Sequence, residues 1–189
     1  MAAYLKRRSL LGFMAGCLIA ACAGAPDAAL PTKAAPATEA PFARIFLVRH
    51  GEKEAGADPA LSAAGTARAQ ALAERLSGEG VTEIWSTQTN RTRQTAAPLA
   101  EVLGLEVKAY DPSALPAFAS TLGDTAGVKL VVGHSNTTDA LAALIGADPG
   151  PPIDEVNEFD RLYVIDLSQI GVTADRIERY GAPSPVPAE

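Results

Sequence analysis

The chain is poor in cysteine, histidine and aromatic residues, and each shortage excludes something. Only two of its 189 residues are cysteine, Cys17 and Cys22, both near the N-terminus. Everything after position 22 therefore lacks a disulfide, a Cys-based zinc site and a thiol nucleophile, so a folded domain there must be held by its core alone. Histidine occurs twice, at positions 50 and 134. No cluster of His, Asp and Glu has metal-ligand spacing, so neither a metal nor another cofactor is expected. There is no excess of basic residues: 16 Lys and Arg face 22 Asp and Glu, for a net charge of −6. That balance argues against a nucleic-acid partner. What is present is ordinary for a globular domain, with 48% hydrophobic and 20% charged residues.

The N-terminus reads as a leader. Lys6, Arg7 and Arg8 form a basic start, and Leu10 to Ala21 is an apolar run too short to span a bilayer comfortably. The run ends in Ile19-Ala20-Ala21-Cys22, which resembles the lipobox of bacterial lipoproteins. Residues 1–21 are thus expected to be a signal peptide, cut before a lipidated Cys22. Met14-Ala15-Gly16-Cys17 is a second match with a shorter apolar run, and Arg7-Arg8-Ser9-Leu10-Leu11 also resembles a twin-arginine export signal. Ala23 rather than Asp after the cysteine resembles lipoproteins of the outer membrane, so the expected location is its periplasmic side. Residues 22–41, with Pro26, Pro31, Pro36 and Pro41, read as the lipidated cysteine and a tether. Losing Lys6, Arg7 and Arg8 lowers the basic count from 16 to 13 against 22 acidic residues, a net charge near −9. The expected membrane contact is therefore the lipid on Cys22, not a basic surface.

Residues 42–181 alternate between strand and helix signals, with a Pro-rich flexible tail expected over 182–189. Ile45–Val48 is a continuous apolar run, as in a strand buried on both faces. Ser62 can cap a helix to Leu76, followed by Gly78 and Gly80. Ile84-Trp85 marks a second strand, Asn90–Leu103 a helix ended by Gly104, and Leu105–Ala109 a third strand. Ser113–Leu122 reads as a helix, Lys129–Val132 as a strand, Thr137–Ile145 as a helix and Leu162–Ile165 as a strand. Arg176–Tyr180 reads as a sixth strand at an edge. The alternation predicts a three-layer α/β/α sandwich around a mostly parallel sheet. Ligands of such sheets bind beyond the carboxyl ends of the strands.

Both histidines fall at predicted strand carboxyl ends. The first strand runs into Arg49-His50-Gly51-Glu52 and the fourth into Gly133-His134-Ser135-Asn136. After the second strand comes Asn90-Arg91-Thr92-Arg93-Gln94-Thr95-Ala96, which places Arg91 at a helix N-terminus, a position that itself favours an anion. Arg49 and Arg91 can each give forked hydrogen bonds to a phosphoryl group. Arg93, two positions on, is expected to face elsewhere.

These three motifs, in this order and on these elements, resemble the histidine phosphatase superfamily, which includes phosphoglycerate mutases and small phosphohistidine phosphatases. Asp58-Pro59-Ala60-Leu61-Ser62-Ala63-Ala64-Gly65 also resembles the family's segment after its first motif. The resemblance implies that His50 is the nucleophile, that Arg49, Arg91 and His134 hold the phosphoryl oxygens with His134 protonated, and that Gly51, Lys53 and Ser135 line the substrate site. A small phosphorylated substrate follows as the partner. Family members with a long insertion after the third strand carry a glutamate acid there, and this chain is short at that point. Asp111 and Glu52 are the candidate acids. Asp111 equally suits a turn before Pro112, and Glu52 equally suits orienting Arg49 or Arg91. Where mutase-like members have Ser and Asn after the first motif, this chain has Lys53 and Gly56. The implied activity is phosphoryl transfer to water in the cell envelope. A mutase and a non-catalytic phosphate-binding module are the alternatives.

Overall fold

The computed structural model describes residues 42–184. The predicted signal peptide, Cys22, the tether and residues 185–189 lie outside the described residues. Among the described residues, no helix is long and apolar enough to cross a membrane.

Among the described residues, six strands and four helices follow one another as β1 (Ala43–Arg49), α1 (Ala63–Leu76), β2 (Glu83–Ser86), α2 (Asn90–Leu103), β3 (Val107–Ala109), α3 (Leu115–Asp124), β4 (Gly127–Gly133), α4 (Ser135–Ile145), β5 (Arg161–Ser168) and β6 (Gly171–Arg179). They form one sheet in the order β3-β2-β4-β1-β5-β6. The first four strands pair in parallel, whereas β5 runs antiparallel to β1, and β6 antiparallel to β5. Alternation alone predicts parallel neighbours, and here the connection before β5 decides otherwise. Helix α4 leaves the carboxyl end of β4 and travels to the far end of the sheet. The segment 146–160 then brings the chain back, so that Leu162 pairs with Val48 at the carboxyl end of β1.

The sheet is buried on both faces, which is why β1 reads as an unbroken apolar run. Phe46, Val48, Ile84, Leu130 and Val132 pack with Leu72, Leu76 and Leu99 of α1 and α2 on one face. Ile45, Leu47, Val131, Tyr163 and Ile165 pack with Phe118, Leu122 and Leu141 of α3 and α4 on the other. Fully burying one such leucine contributes about 1.5–3 kcal/mol. Local signals set the helix ends. Ser62 accepts a hydrogen bond from the Gly65 amide at 3.2 Å, and Gly104 closes α2 in the left-handed conformation at φ 64°.

The hydrogen-bonded chain runs past the predicted boundary at 181. Arg68 donates to the carbonyl of Ala182 at 2.9 Å, and Ser184 Oγ accepts from the amides of Phe159 (2.8 Å) and Asp160 (3.2 Å).

Candidate active site

Three strand ends converge on one crevice. His50 follows β1, Thr87 follows β2, and His134 sits between β4 and α4 as the helix N-cap. The two imidazoles stand edge to face, with ring centroids 5.5 Å apart. Behind His50 the backbone approaches closely at Gly51 and Gly65. A Cβ on Gly51 would lie 2.9 Å from the Gly65 carbonyl, and one on Gly65 would lie 2.0 Å from the carbonyl of Glu52. The glycine of the first motif and the Ser62-to-Gly65 helix start therefore belong to one contact.

His50 is 3% exposed. Its Nδ1–H donates to the Gly51 carbonyl at 2.8 Å, and because a carbonyl only accepts, the ring proton is fixed on Nδ1. Nε2 makes no hydrogen bond among the described residues and keeps its lone pair. Burial, reinforced by the charges of Arg49 and Arg91, lowers the His50 pKa to about 3, so the ring is neutral across the physiological range.

His134 is held differently. Nε2 lies 3.0 Å from Thr87 Oγ1, and Nδ1 lies 3.4 Å from Arg91 Nη2. Arginine can only donate, so Nδ1 is the acceptor and the neutral ring carries its proton on Nε2 toward Thr87. Thr87 in turn contacts Thr92 Oγ1 at 2.9 Å, and Thr92 reaches the carbonyls of Thr87 and Thr89. Burial first, then Arg91 and Arg49, lowers the His134 pKa to about 4. Burial and the two guanidinium groups thus favour the neutral His134, where the resemblance implies a protonated one.

Arg49 is 3% exposed and gripped by backbone. Nη1 donates to the carbonyls of Asp154 (3.0 Å) and Glu158 (2.8 Å), and Nη2 donates to that of Glu155 (2.5 Å). The Phe159 ring lies beneath the guanidinium, 4.0 Å from centroid to Cζ. Burial lowers the Arg49 pKa to about 10, still fully charged at neutral pH, against the opposing pull of Glu155, Asp154 and Glu158. Arg91, the second residue of α2, reaches His134 and stands 3.8 Å from Asp58. Buried side-chain polar atoms without a partner are rare here, and two of the three among the described residues are Nε of Arg49 and Nε of Arg91. An orphaned buried donor costs about 1–3 kcal/mol, which an acceptor reaching it would recover.

The other predicted site residues are spread out. Gly51 donates its amide to Thr95 Oγ1 at 3.0 Å. Ser135 opens α4 half-buried, and Lys53 is exposed, its backbone bridging to Leu61. Glu52 turns to Arg68 rather than to Arg49 or Arg91, in a forked pair with contacts of 2.7 to 3.1 Å. Burial would raise its pKa, but the Arg68 bonds outweigh it and hold the carboxyl below its usual range. Asp111 is fully exposed, and its carboxylate accepts from the Ser113 amide and hydroxyl, which lowers its pKa. Asp111 nonetheless lines a cavity of about 490 Å³ together with Thr87, Gln88, Tyr110, Pro112 and His134. Arg93 lines a different cavity, between α2 and β3. Among the described residues, no three His, Asp or Glu side chains converge as a metal site.

Sequence reasoning missed Thr87, Phe159 and the carbonyls of 154–158. Thr87 was legible in principle, as a hydroxyl immediately beyond a strand end. The carbonyls carry no side-chain signal.

Comparison with known proteins bears on the family and the fold. Residues 45–112 match the histidine phosphatase superfamily (branch 1). "Probable phosphoglycerate mutase GpmB" of Serratia proteamaculans (strain 568) is 39% identical over 72 residues, covering 34% of this chain and 34% of that protein. The chain therefore spans about a third of the length of the curated relatives it matches. The structure of the protein histidine phosphatase SixA complexed with tungstate superposes with a TM-score of 0.56 at 17% identity, covering 72% of this chain and 95% of that one. A mycobacterial glucosyl-3-phosphoglycerate phosphatase gives 0.53 at 17% identity, covering 74% and 99%. The fold is that of the histidine phosphatases, and the similarity is to phosphatases and mutases alike.

Proposed function

We propose that the protein is a metal-independent phosphatase of the cell envelope that passes a phosphoryl group through His50 to water. The observation that carries this reading is the locked tautomer of His50, with Nδ1 bound to the Gly51 carbonyl and Nε2 unengaged, while Nε of Arg49 and of Arg91 are buried without a partner. In the first step Nε2 attacks phosphorus, a P–N bond forms, and the bond to the leaving group breaks with its electron pair. Water then attacks the phosphohistidine, releasing inorganic phosphate and restoring the free ring. Arg49 and Arg91 neutralise the phosphoryl oxygens throughout, aided by the N-termini of α2 and α4. A bound dianionic phosphoryl group would offset the charge of the two arginines and let His134 take up a proton and donate to an oxygen.

Neither Glu52, paired with Arg68, nor Asp111, exposed and ionised, is poised to protonate a leaving group. The site therefore suits leaving groups that depart with little acid help, such as phosphoramidates or acidic alcohols. The envelope assignment rests on the leader and Cys22. It favours small phosphate esters or sugar phosphates of envelope polymers as substrates. A mutase reading has the GpmB similarity in its favour, but Lys53 and Gly56 replace the Ser and Asn of mutase-like members, so hydrolysis is preferred.

The test is release of phosphate from p-nitrophenyl phosphate in the presence of chelator, wild type beside His50→Ala. Activity should survive chelator and fall at least about 10³-fold in the variant, as for loss of a nucleophile. A folded wild type without activity would move the reading to a phosphate-binding module.

A further inference from the structure

Arg49 is placed by backbone carbonyls, so something must place the carbonyls. The segment 146–160 has no regular secondary structure, yet it delivers three acceptors to one guanidinium. The Glu158 carboxylate lies at its centre. It receives both Nε and Nη2 of Arg161 at 2.8 Å, the Asp154 amide at 3.1 Å and Arg179 Nη1 at 2.7 Å. Arg161 is 4% exposed and spends its remaining donors on the Pro151 carbonyl (2.7 Å) and the Tyr163 hydroxyl (3.0 Å). Tyr163 is itself buried in β5 and donates to the Pro149 carbonyl at 2.7 Å. Both ends of the segment are thus tied to the sheet through one carboxylate and one guanidinium. The same residue that organises the loop, Glu158, also offers its own carbonyl to Arg49.

We infer that Glu158, clasped by Arg161, is a positioning residue that acts through Arg49: it fixes the loop carbonyls that hold the guanidinium by its two Nη groups and leave Nε without a protein partner. The inference rests on the phosphatase reading only in its choice of assay. Glu158→Gln keeps the size and one acceptor but loses the charge that binds Arg161 and Arg179. The carbonyls of 154, 155 and 158 then lose register, and Arg49 loses its fixed direction. Misplacing a group that contacts the reacting phosphoryl by an ångström lowers turnover by up to about 10²-fold. Phe159→Leu tests the same cradle from beneath without touching the ion pair.

The deciding experiment is a double-mutant cycle on the full-length protein with Arg49→Ala, Glu158→Gln and both together. p-Nitrophenyl phosphate turnover and the Kd for inorganic phosphate are read in parallel. Glu158→Gln is expected to lower kcat/KM by about 10- to 100-fold in the wild-type background and by less than about 2-fold when Arg49 is already alanine. Phe159→Leu should follow the same pattern, more weakly, and serves if Glu158→Gln fails to fold. Equal losses with and without Arg49 would overturn the inference, because they would show a general structural role. So would a Glu158→Gln variant that is folded and fully active. If the wild type binds phosphate but hydrolyses nothing, the phosphatase reading fails alone, and the cycle in Kd still decides whether Glu158 acts through Arg49. A wild type that neither hydrolyses nor binds phosphate would overturn both.

Discussion

The crevice has two sides, and they are built from different material. One side is made of side chains at the ends of β1, β2 and β4 and at the start of α2: His50, Thr87, His134 and Arg91. The other is the segment 154–159, which contributes carbonyl oxygens and the face of Phe159. Arg49 belongs to the first by sequence and to the second by contact. The difference teaches how a buried cation is kept charged and available at once. Carbonyls satisfy three of its donors without neutralising it, and Nε has no protein partner.

The side-chain wall should show the largest effects. Arg91→Ala is expected to lower kcat by about 10²- to 10³-fold, as for loss of a donor that binds developing charge. Steady-state kinetics on a folded variant check this, and a loss confined to KM would show instead that Arg91 only binds the ground state.

Next come the carboxylates. Glu52→Gln leaves the buried Arg68 without its charged partner, with only the carbonyls of Tyr180 and Ala182 retained, so it is expected to destabilise the fold by about 1–3 kcal/mol in denaturant melts while kcat changes little. A large fall in kcat at unchanged stability would restore Glu52 as the acid.

The histidines sharpen the contrast between the walls through pH. Both have folded pKa values depressed below the ordinary 6.5, to about 3 for His50 and about 4 for His134. In that window the unfolded chain binds more protons than the folded one. Their contribution to stability is therefore complete above about pH 6.5 and is lost as pH falls toward 4 and then 3. Because the chain has only two histidines, NMR titration of the ring nitrogens resolves each. Addition of phosphate should raise the His134 value and leave the Nδ1–H tautomer of His50 in place. Titration of His50 near 6.5 in the folded protein would show that the ring is not desolvated.

The smallest effect is expected from Asp111→Asn, less than about 2-fold in kcat with p-nitrophenyl phosphate. If the loss grows steeply with an alkyl phosphate, whose leaving group needs a proton, Asp111 moves toward the site on binding and takes the acid role after all.

The sequence by itself determined the strands buried on both faces, because an unbroken run such as Ile45–Val48 has no polar side to expose. It determined the helix ends at Ser62 and Gly104, because capping and left-handed backbone demand particular residues. It also placed both histidines at strand ends and Arg91 at a helix N-terminus, because strand, loop and helix start are distinguishable by composition. Only the tertiary structure decided the direction of β5, since that depends on where the segment 146–160 returns the chain and not on any residue's preference. It likewise decided that Glu52 serves Arg68 and that Arg49 rests on carbonyls. A carboxylate's partner is fixed by which element folds against it, and a backbone acceptor is common to every residue, so neither leaves a mark in the order of the amino acids.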